Sequence, residues 1–545
     1  MSQPEIDPVT VEVIGSALST IVEEMGKAIV RAAFSTNIKE RQDCSTALFD
    51  LQGRVIAQAE RIPIHLGSLL GIADYVLTRH PVEGVRPGDV FIGNDAYTGG
   101  GTHLNDFVLL EPVFHDGSLV AWVSNLAHHS DFVDRGHAHI FQEGLRIPPI
   151  RLYREGVLQQ DVMDLILLNC QVPRERINDL RAQMAANRLG VQRFQALCRK
   201  YGAAVVLAGS DRGLDYAERK TRAGIATIPD GRYEYTAPFD TNLIEEILDL
   251  RVAIEVRGDE MHFDFAGNPP QVRAGINMVF TALQATVYFA VKTLVDPGIP
   301  ANAGLHRPIH IEAPLGSVVN ATPPAAVYSR TDIAQRLVDM IFAALAPVIP
   351  ERVAAASTGG ILVTMSGMHP RTRRFYVYNE MCGGGMGARA GRDGLDAVQV
   401  NTTNTANLPV EALESEHPVM VECYELVQDS GGPGQFRGGM TMRRRLRVLD
   451  HLAIVNAGGT NNVVPPWGLD GGLPGLTCRI EYGEGVAPLV RRNGVVGPGQ
   501  TLATIGAGGG GFGDPKARDR EAVRCDLREE RISAEAAAEI YGLQP

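Results

Sequence analysis

The sequence predicts a mixed α/β (α+β), multidomain protein with a helical middle segment and a Gly-rich, β-rich C-terminal region. Three observations predict it. Apolar residues recur at helical spacing in some stretches and alternate with polar ones in others. One long block near the middle is amphipathic throughout. Glycine, 59 of 545 residues or roughly 11% against about 7% in average proteins, crowds toward the C-terminus. A chain of this length is several times a usual domain of ~100–200 residues, so several packed units are expected.

The first unit, 1–155, opens with a helix. Pro8 is followed by apolar residues at helical spacing (Val11, Ile14, Leu18, Ile21, Val22, Met25, Ile29, Val30), and the pattern ends near Ser35 and Asn37. Short strand-like runs follow, ALFD and RVIAQ around a turn at Leu51-Gln52-Gly53, then VFIGND after the Pro-Gly-Asp turn at 87–89. The second unit, 156–224, reads as helices: QQDVMDLILLN, then RERINDLRAQMAANRLGVQRFQALCRKYG, then a stretch rich in Ala, Arg and Glu. Alternation resumes in the third, 225–355, where Arg257-Gly258-Asp259 is a hairpin signal and 277–294 reads as a buried helix. In the fourth, 356–545, glycine runs such as MCGGGMGARAG, DSGGPGQFRGG and IGAGGGGFGDP separate strand-like segments, and REAVRCDLREERISAEAAAEIYGL closes the chain as helix. Because the segments between them are apolar and alternating, these glycines are expected to make tight turns and close backbone approaches rather than a linker.

Composition excludes several function classes. Lys and Arg total 51 against 63 Asp and Glu, a net charge of −12 without long blocks of either sign, which argues against a phosphate backbone as ligand. No apolar run is long enough to span a membrane and no signal-like N-terminus is present, so a cytoplasmic protein binding neither membrane nor nucleic acid is expected. The seven cysteines are scattered, with no C-x-x-C pair, and read as reduced thiols.

The stretch 101–131 carries the chemistry. Asp116-Gly117 between two apolar runs is the preferred type I′ hairpin turn. Pairing about it sets Asp106 opposite Ala127 and Asn105 opposite His128. His103, Asp106, His128, His129 and Asp131 then gather at the open end of an apolar ribbon. Imidazole with carboxylate suits Zn, Mn or Fe(II) with positions left for water or substrate; the alternatives are a hydrogen-bonded His/Asp cluster capping the strand ends, or two solvated histidines. Alternation does not choose between His128 and His129, because a one-residue slip exchanges the faces.

Other motifs carry less. A G-x-G-x-x-G can be forced onto Gly508, Gly510 and Gly513, but too little chain follows for a βαβ unit and Pro515 interrupts the helix it should feed. G-x-x-x-x-G-K-[ST], G-x-S-x-G and H-E-x-x-H are all absent from the sequence. Cys382 reads as a small buried residue rather than a nucleophile, and Arg41, Asp43 and His65 as ion-paired or hydrogen-bonded core residues.

Asn94-Asp95-Ala96-Tyr97-Thr98-Gly99-Gly100-Gly101-Thr102-His103-Leu104-Asn105-Asp106, with the later AHHSD, resembles the N-D-P-Y-x-G-G-T-H-L-P-D and H-H-x-D signatures of the hydantoinase B/oxoprolinase family. ERQDCSTALFD, IPIHLGS, DLRAQMAAN, DFAGNPPQV, NTTNTANLPVE, DSGGPGQFRGG, PPWGLDGG and GGGGFGDP follow the family's order, so the likeness covers essentially the whole chain. It implies the B-type subunit of an ATP-dependent enzyme that opens cyclic amides such as hydantoins, 5-oxoproline or lactams. It also implies a hetero-oligomer in which a hydantoinase A-type partner holds ATP-Mg and phosphorylates the substrate. By the same resemblance His103, Asp106 and His128 are the metal ligands. Asp131, Asp95 and His129 are the catalytic candidates expected beside them, either aspartate as general base or orienter. A component of a ketone carboxylase and a non-catalytic scaffold are the alternatives. The chain departs from the pattern at Ala96 and Asn105, at an extra glycine in 99–101, at Asp134-Arg135-Gly136-His137, and at Gln171 and Val172.

Overall fold

The computed structural model describes residues 6–133, 136–487 and 493–543; Asp134 and Arg135 lie outside the described residues. The first part contains α1 (Pro8–Ala32), α2 (Thr36–Lys39), β1 (Cys44–Phe49), β2 (Val55–Gln58), α3 (His65–Arg79), β3 (Val90–Gly93), β4 (Asp106–His115), β5 (Ser118–His128), β6 (Ile150–Arg154) and β7 (Val157–Leu158). Helices α4 (Gln160–Leu168), α5 (Pro173–Tyr201) and α6 (Ala203–Ile225) follow. Next come β8 (Gly231–Phe239), β9 (Leu248–Arg257), β10 (Glu260–Asp264), α7 (Phe280–Val295), β11 (Ile309–Glu312) and α8 (Thr331–Leu345). The last part contains β12 (Ile361–Met368), β13 (Phe375–Cys382), α9 (Val410–Glu416), β14 (Val419–Leu426), β15 (Met442–Val448), β16 (Ala453–Gly459), β17 (Arg479–Tyr482), β18 (Gly494–Val496), β19 (Thr501–Ile505), α10 (Arg520–Arg528) and α11 (Ala534–Glu539).

Helix α1 starts where its signals place it: the Asp7 carboxylate accepts from the Val9 and Thr10 N–H groups, and Pro8 occupies the first turn. Its apolar stripe packs on β1, α5 and α6. The first sheet has the order β2-β1-β5-β4-β3-β6-β7, with every neighbouring pair antiparallel. Helix α5 covers one of its faces and α3 the other. The second sheet, β11-β10-β9-β8, joins β10 and β11 in parallel. The largest apolar core draws on both sheets, through α3, α7 and α8, so residues 1–155 and 225–355 share one interior.

Two four-stranded sheets form the last part, β13-β12-β16-β18 and β14-β15-β19-β17. The two sheets share one apolar core, and the glycine runs pack backbone against backbone on one another. The Gly509 N–H donates to Gly439 O at 3.0 Å and Gly509 O accepts from the Gly432 N–H at 2.7 Å. A Cβ on Gly508 would sit 1.7 Å from Ser430 O, a clash with backbone that no side-chain rotation relieves. This close approach is why 508–513 is not a phosphate loop. Cys382 is buried and its thiol is pushed up to about 12 by desolvation, as an inert core residue should be. Among the described residues no helix is long and apolar enough to cross a membrane.

Candidate metal and catalytic site

The hairpin forms on the predicted turn, with Asp116 and Gly117 at φ of 48° and 78°. Its register differs from the expectation by one residue. Pairing is Phe114↔Leu119 near the turn but Val113↔Ala121 beyond it, so Val120 is an extra residue, a β-bulge. The slip carries to the open end, where Asp106 faces His128 and Phe107 faces Ala127, in place of the Asp106–Ala127 pair that a regular ladder would give. Directly opposed residues share a face, so the bulge sets His128 beside Asp106 and turns His129 to the other side.

His103 completes the group. Its loop follows the three glycines at 99–101, which press on Gly71 of α3 and on Asn94; a Cβ on Gly101 would lie 2.2 Å from Asn94 O. His103 Nε2 stands 3.0 Å from Asp106 Oδ1, and the His103 and His128 rings are 4.9 Å apart. Donor atoms of His103, Asp106 and His128 all fall within 4.8 Å of one another. Asp106 is fully buried; its Oδ2 accepts from Arg330 Nη2 at 3.0 Å and from Ser68 Oγ at 3.3 Å. Burial by itself would raise its pKa, but the Arg330 guanidinium in contact with it holds it well below the ordinary carboxylate range. Burial and Arg330 push His103 the other way, down to about 4.

These facts test whether a cation fits. His103 Nδ1 lies 3.1 Å from the backbone oxygen of Tyr328, which can only accept, so Nδ1 carries the proton. In the neutral ring Nε2 then presents a lone pair to a carboxylate oxygen at 3.0 Å, which is repulsive unless a cation lies between them. Burial disfavours a proton there, and a divalent metal satisfies both donors. The residues fit such an ion.

A cavity of about 610 Å³ that includes space open to solvent lies over this cluster. Arg41, Asp43 and His65 line it with His103 and His128. His65 Nε2 stands 3.4 Å from Asp43 Oδ1 and 3.9 Å from Asp106 Oδ1, while its Nδ1 meets Ser45 Oγ at 2.9 Å. Arg41 Nη1 donates to Asn37 Oδ1 at 2.6 Å, and Asn37 Nδ2 lies 3.1 Å from His128 Nδ1. Asp43, His65 and Arg41 were legible only as paired core residues, and Arg330 carried no signal at all.

The three catalytic candidates lie apart from this cavity. Asp95 closes its own turn, accepting from the Tyr97 and Thr98 N–H groups at 2.9 Å, and pairs with Arg146. Asp131 accepts from the Gln171 N–H at 3.0 Å and pairs with Arg176 of α5. His129 Nε2 meets Gln183 Oε1 of α5 at 2.9 Å, and its ring packs on Phe107.

Comparison with known proteins agrees with this chain-wide picture. The family model described as hydantoinase B/oxoprolinase matches residues 7–515. The B component of a putative D-/L-hydantoinase from Pseudomonas sp. strain NS671 is 31% identical over 99% of this chain and 95% of its own length. The beta chain of the caprolactamase from Pseudomonas jessenii is 33% identical over 99% of this chain and 96% of its own length. The crystal structure of the ATP-dependent caprolactamase from the same organism superposes with a TM-score of 0.85 at 30% identity, covering 99% of this chain and 97% of that one. A nucleotide-free acetone carboxylase chain shares the fold, with a TM-score of 0.88 at 18% identity over 99% of this chain and 80% of that one.

Proposed function

Because the chain belongs to the hydantoinase B/oxoprolinase family, we propose that it is the B-type subunit of an ATP-dependent cyclic-amide hydrolase. Its substrate would be a hydantoin, 5-oxoproline or lactam ring, activated by phosphorylation on an A-type partner that binds ATP-Mg. The relatives named as hydantoinase and caprolactamase components support this reading. The observation that carries it is the convergence of His103, Asp106 and His128 donor atoms within 4.8 Å of one another beneath a cavity.

His103, Asp106 and His128 would hold a divalent metal, Zn, Mn or Fe. Such an ion supplies Lewis acidity at the reacting carbonyl or water. Arg330 keeps Asp106 ionised and fixed, and Tyr328 O orients the His103 ring. Proton handling falls to Asp43 and His65, which line the cavity in hydrogen-bonding range of each other, rather than to Asp95, Asp131 or His129.

The test is to purify the chain alone and co-expressed with an A-type partner, then measure ATP-dependent ring opening and metal content. Ring opening only in the complex, with metal on this chain, is expected. Bicarbonate-dependent turnover of ketones, or site variants that destabilise the complex without changing turnover per complex, would replace this reading.

A further inference from the structure

A second cluster of metal-ligand type lies on the outward face of the second sheet, sharing no element with the first. The parallel register of β10 and β11 sets His262 directly beside His310, and Glu260 two residues earlier on β10 shares their face. The buried partners on the other face are Met261, Phe263 and Ile309. The two imidazoles stack at 4.4 Å with only 20° between their planes. Both Nε2 atoms converge on one carboxylate oxygen: Glu260 Oε2 is 3.3 Å from His310 Nε2 and 3.8 Å from His262 Nε2. Oε1 of the same carboxylate accepts from Arg222 Nη1 of α6 at 3.0 Å.

We propose that Glu260, His262 and His310 form a surface site for a divalent transition metal of the zinc class. With Zn–N and Zn–O bonds near 2.0–2.2 Å, neighbouring donors of a tetrahedral zinc stand about 3.3–3.5 Å apart, the separation already present at His310 and a small side-chain rotation away at His262. Two imidazoles and one carboxylate suit Zn, Ni or Cu(II). The three donors stand on adjacent strands whose ladder fixes their spacing, so little ordering remains to be done on binding. Arg222 holds the carboxylate by its outer oxygen and leaves the inner one to the metal, an outer-sphere contact that orients a ligand. The remaining coordination positions face water, since His262 and His310 are 37% and 44% exposed.

The test uses the full-length chain, stripped with a chelator and titrated with Zn²⁺ alone by calorimetry. Two equivalents are expected. The exposed double substitution His262→Gln/His310→Gln should remove one, weakening that step by on the order of tenfold or more, with an unchanged melting temperature without metal. Asp106→Asn should remove the other, and Glu260→Gln should weaken the surface step alone. A Zn²⁺ stoichiometry that the double substitution leaves unchanged overturns the surface site, and its loss on Asp106→Asn then leaves the buried one standing.

Discussion

The two faces of strand β4 carry one buried carboxylate each, and their surroundings push them in opposite directions. Asp106, on the α3 side, is held well below the ordinary range by the Arg330 guanidinium against the effect of burial. Glu111, on the α5 side, is pushed up to about 7 by burial, offset only in part by Arg188, and its Oε2 has no hydrogen-bond partner among the described residues. Both are desolvated by one hairpin. What separates a charged ligand from a carboxyl driven toward neutrality is a guanidinium in direct hydrogen-bonding contact, supplied by the residue that caps α8.

The contrast is tested most severely by Asp106→Asn. It should abolish metal retention and lower ATP-dependent ring opening by the complex by on the order of a thousandfold, whereas Glu111→Gln should leave both unchanged. Elemental analysis beside a product assay reads both; an active, metal-loaded Asp106→Asn enzyme would dismiss the site.

Arg330→Met makes Asp106 resemble Glu111 by leaving a buried carboxylate with less counter-charge. Urea unfolding near pH 7 should show a loss of about 3–5 kcal/mol. Added Zn²⁺ should restore part of it, because the ion replaces the missing positive charge.

A smaller effect distinguishes Glu111. Its folded pKa lies above its ordinary value of 4.5, so the contribution of its neutral form is fully present below 4.5 and is lost as pH rises through about 7. Glu111→Gln should therefore be more stable than the parent at pH 8, by about 1–3 kcal/mol, and no more stable at pH 4. Melting curves at the two pH values check the sign.

The smallest contrast is between adjacent histidines. His128→Gln should lose the metal. His129→Gln should keep it and cost about 1 kcal/mol through its contact with Gln183. Equal metal loss in both would mean that the bulge does not select the ligand.

Much of this molecule was legible in its residues. The 25-residue α1 shows in its spacing and cap, the hairpin in Asp116-Gly117, the helical middle in its amphipathic runs, and the close-packed C-terminal backbone in its glycine runs. The same hairpin signal also located the neighbourhood of His103, Asp106 and His128. It did not give the register, because the bulge at Val120 leaves no distinctive residue behind and depends on how the strands twist against their neighbours. Asp131, Asp95 and His129 shared the composition of a catalytic group, but Arg176, Arg146 and Gln183 engage them elsewhere.

Local patterning thus determined which elements form and which family of residue types gathers at the hairpin's open end, since helical period, turn chemistry and glycine sterics act over a few residues. Tertiary packing alone decided which histidine shares a face with Asp106, that Arg330 holds that carboxylate ionised, and that Asp43 and His65 complete the cavity wall. The physical reason is range. Charge balance in a desolvated site depends on groups hundreds of residues apart in sequence, and only the packing of α3 on the first sheet and of α8 on the second, around one shared core, brings them within hydrogen-bonding distance.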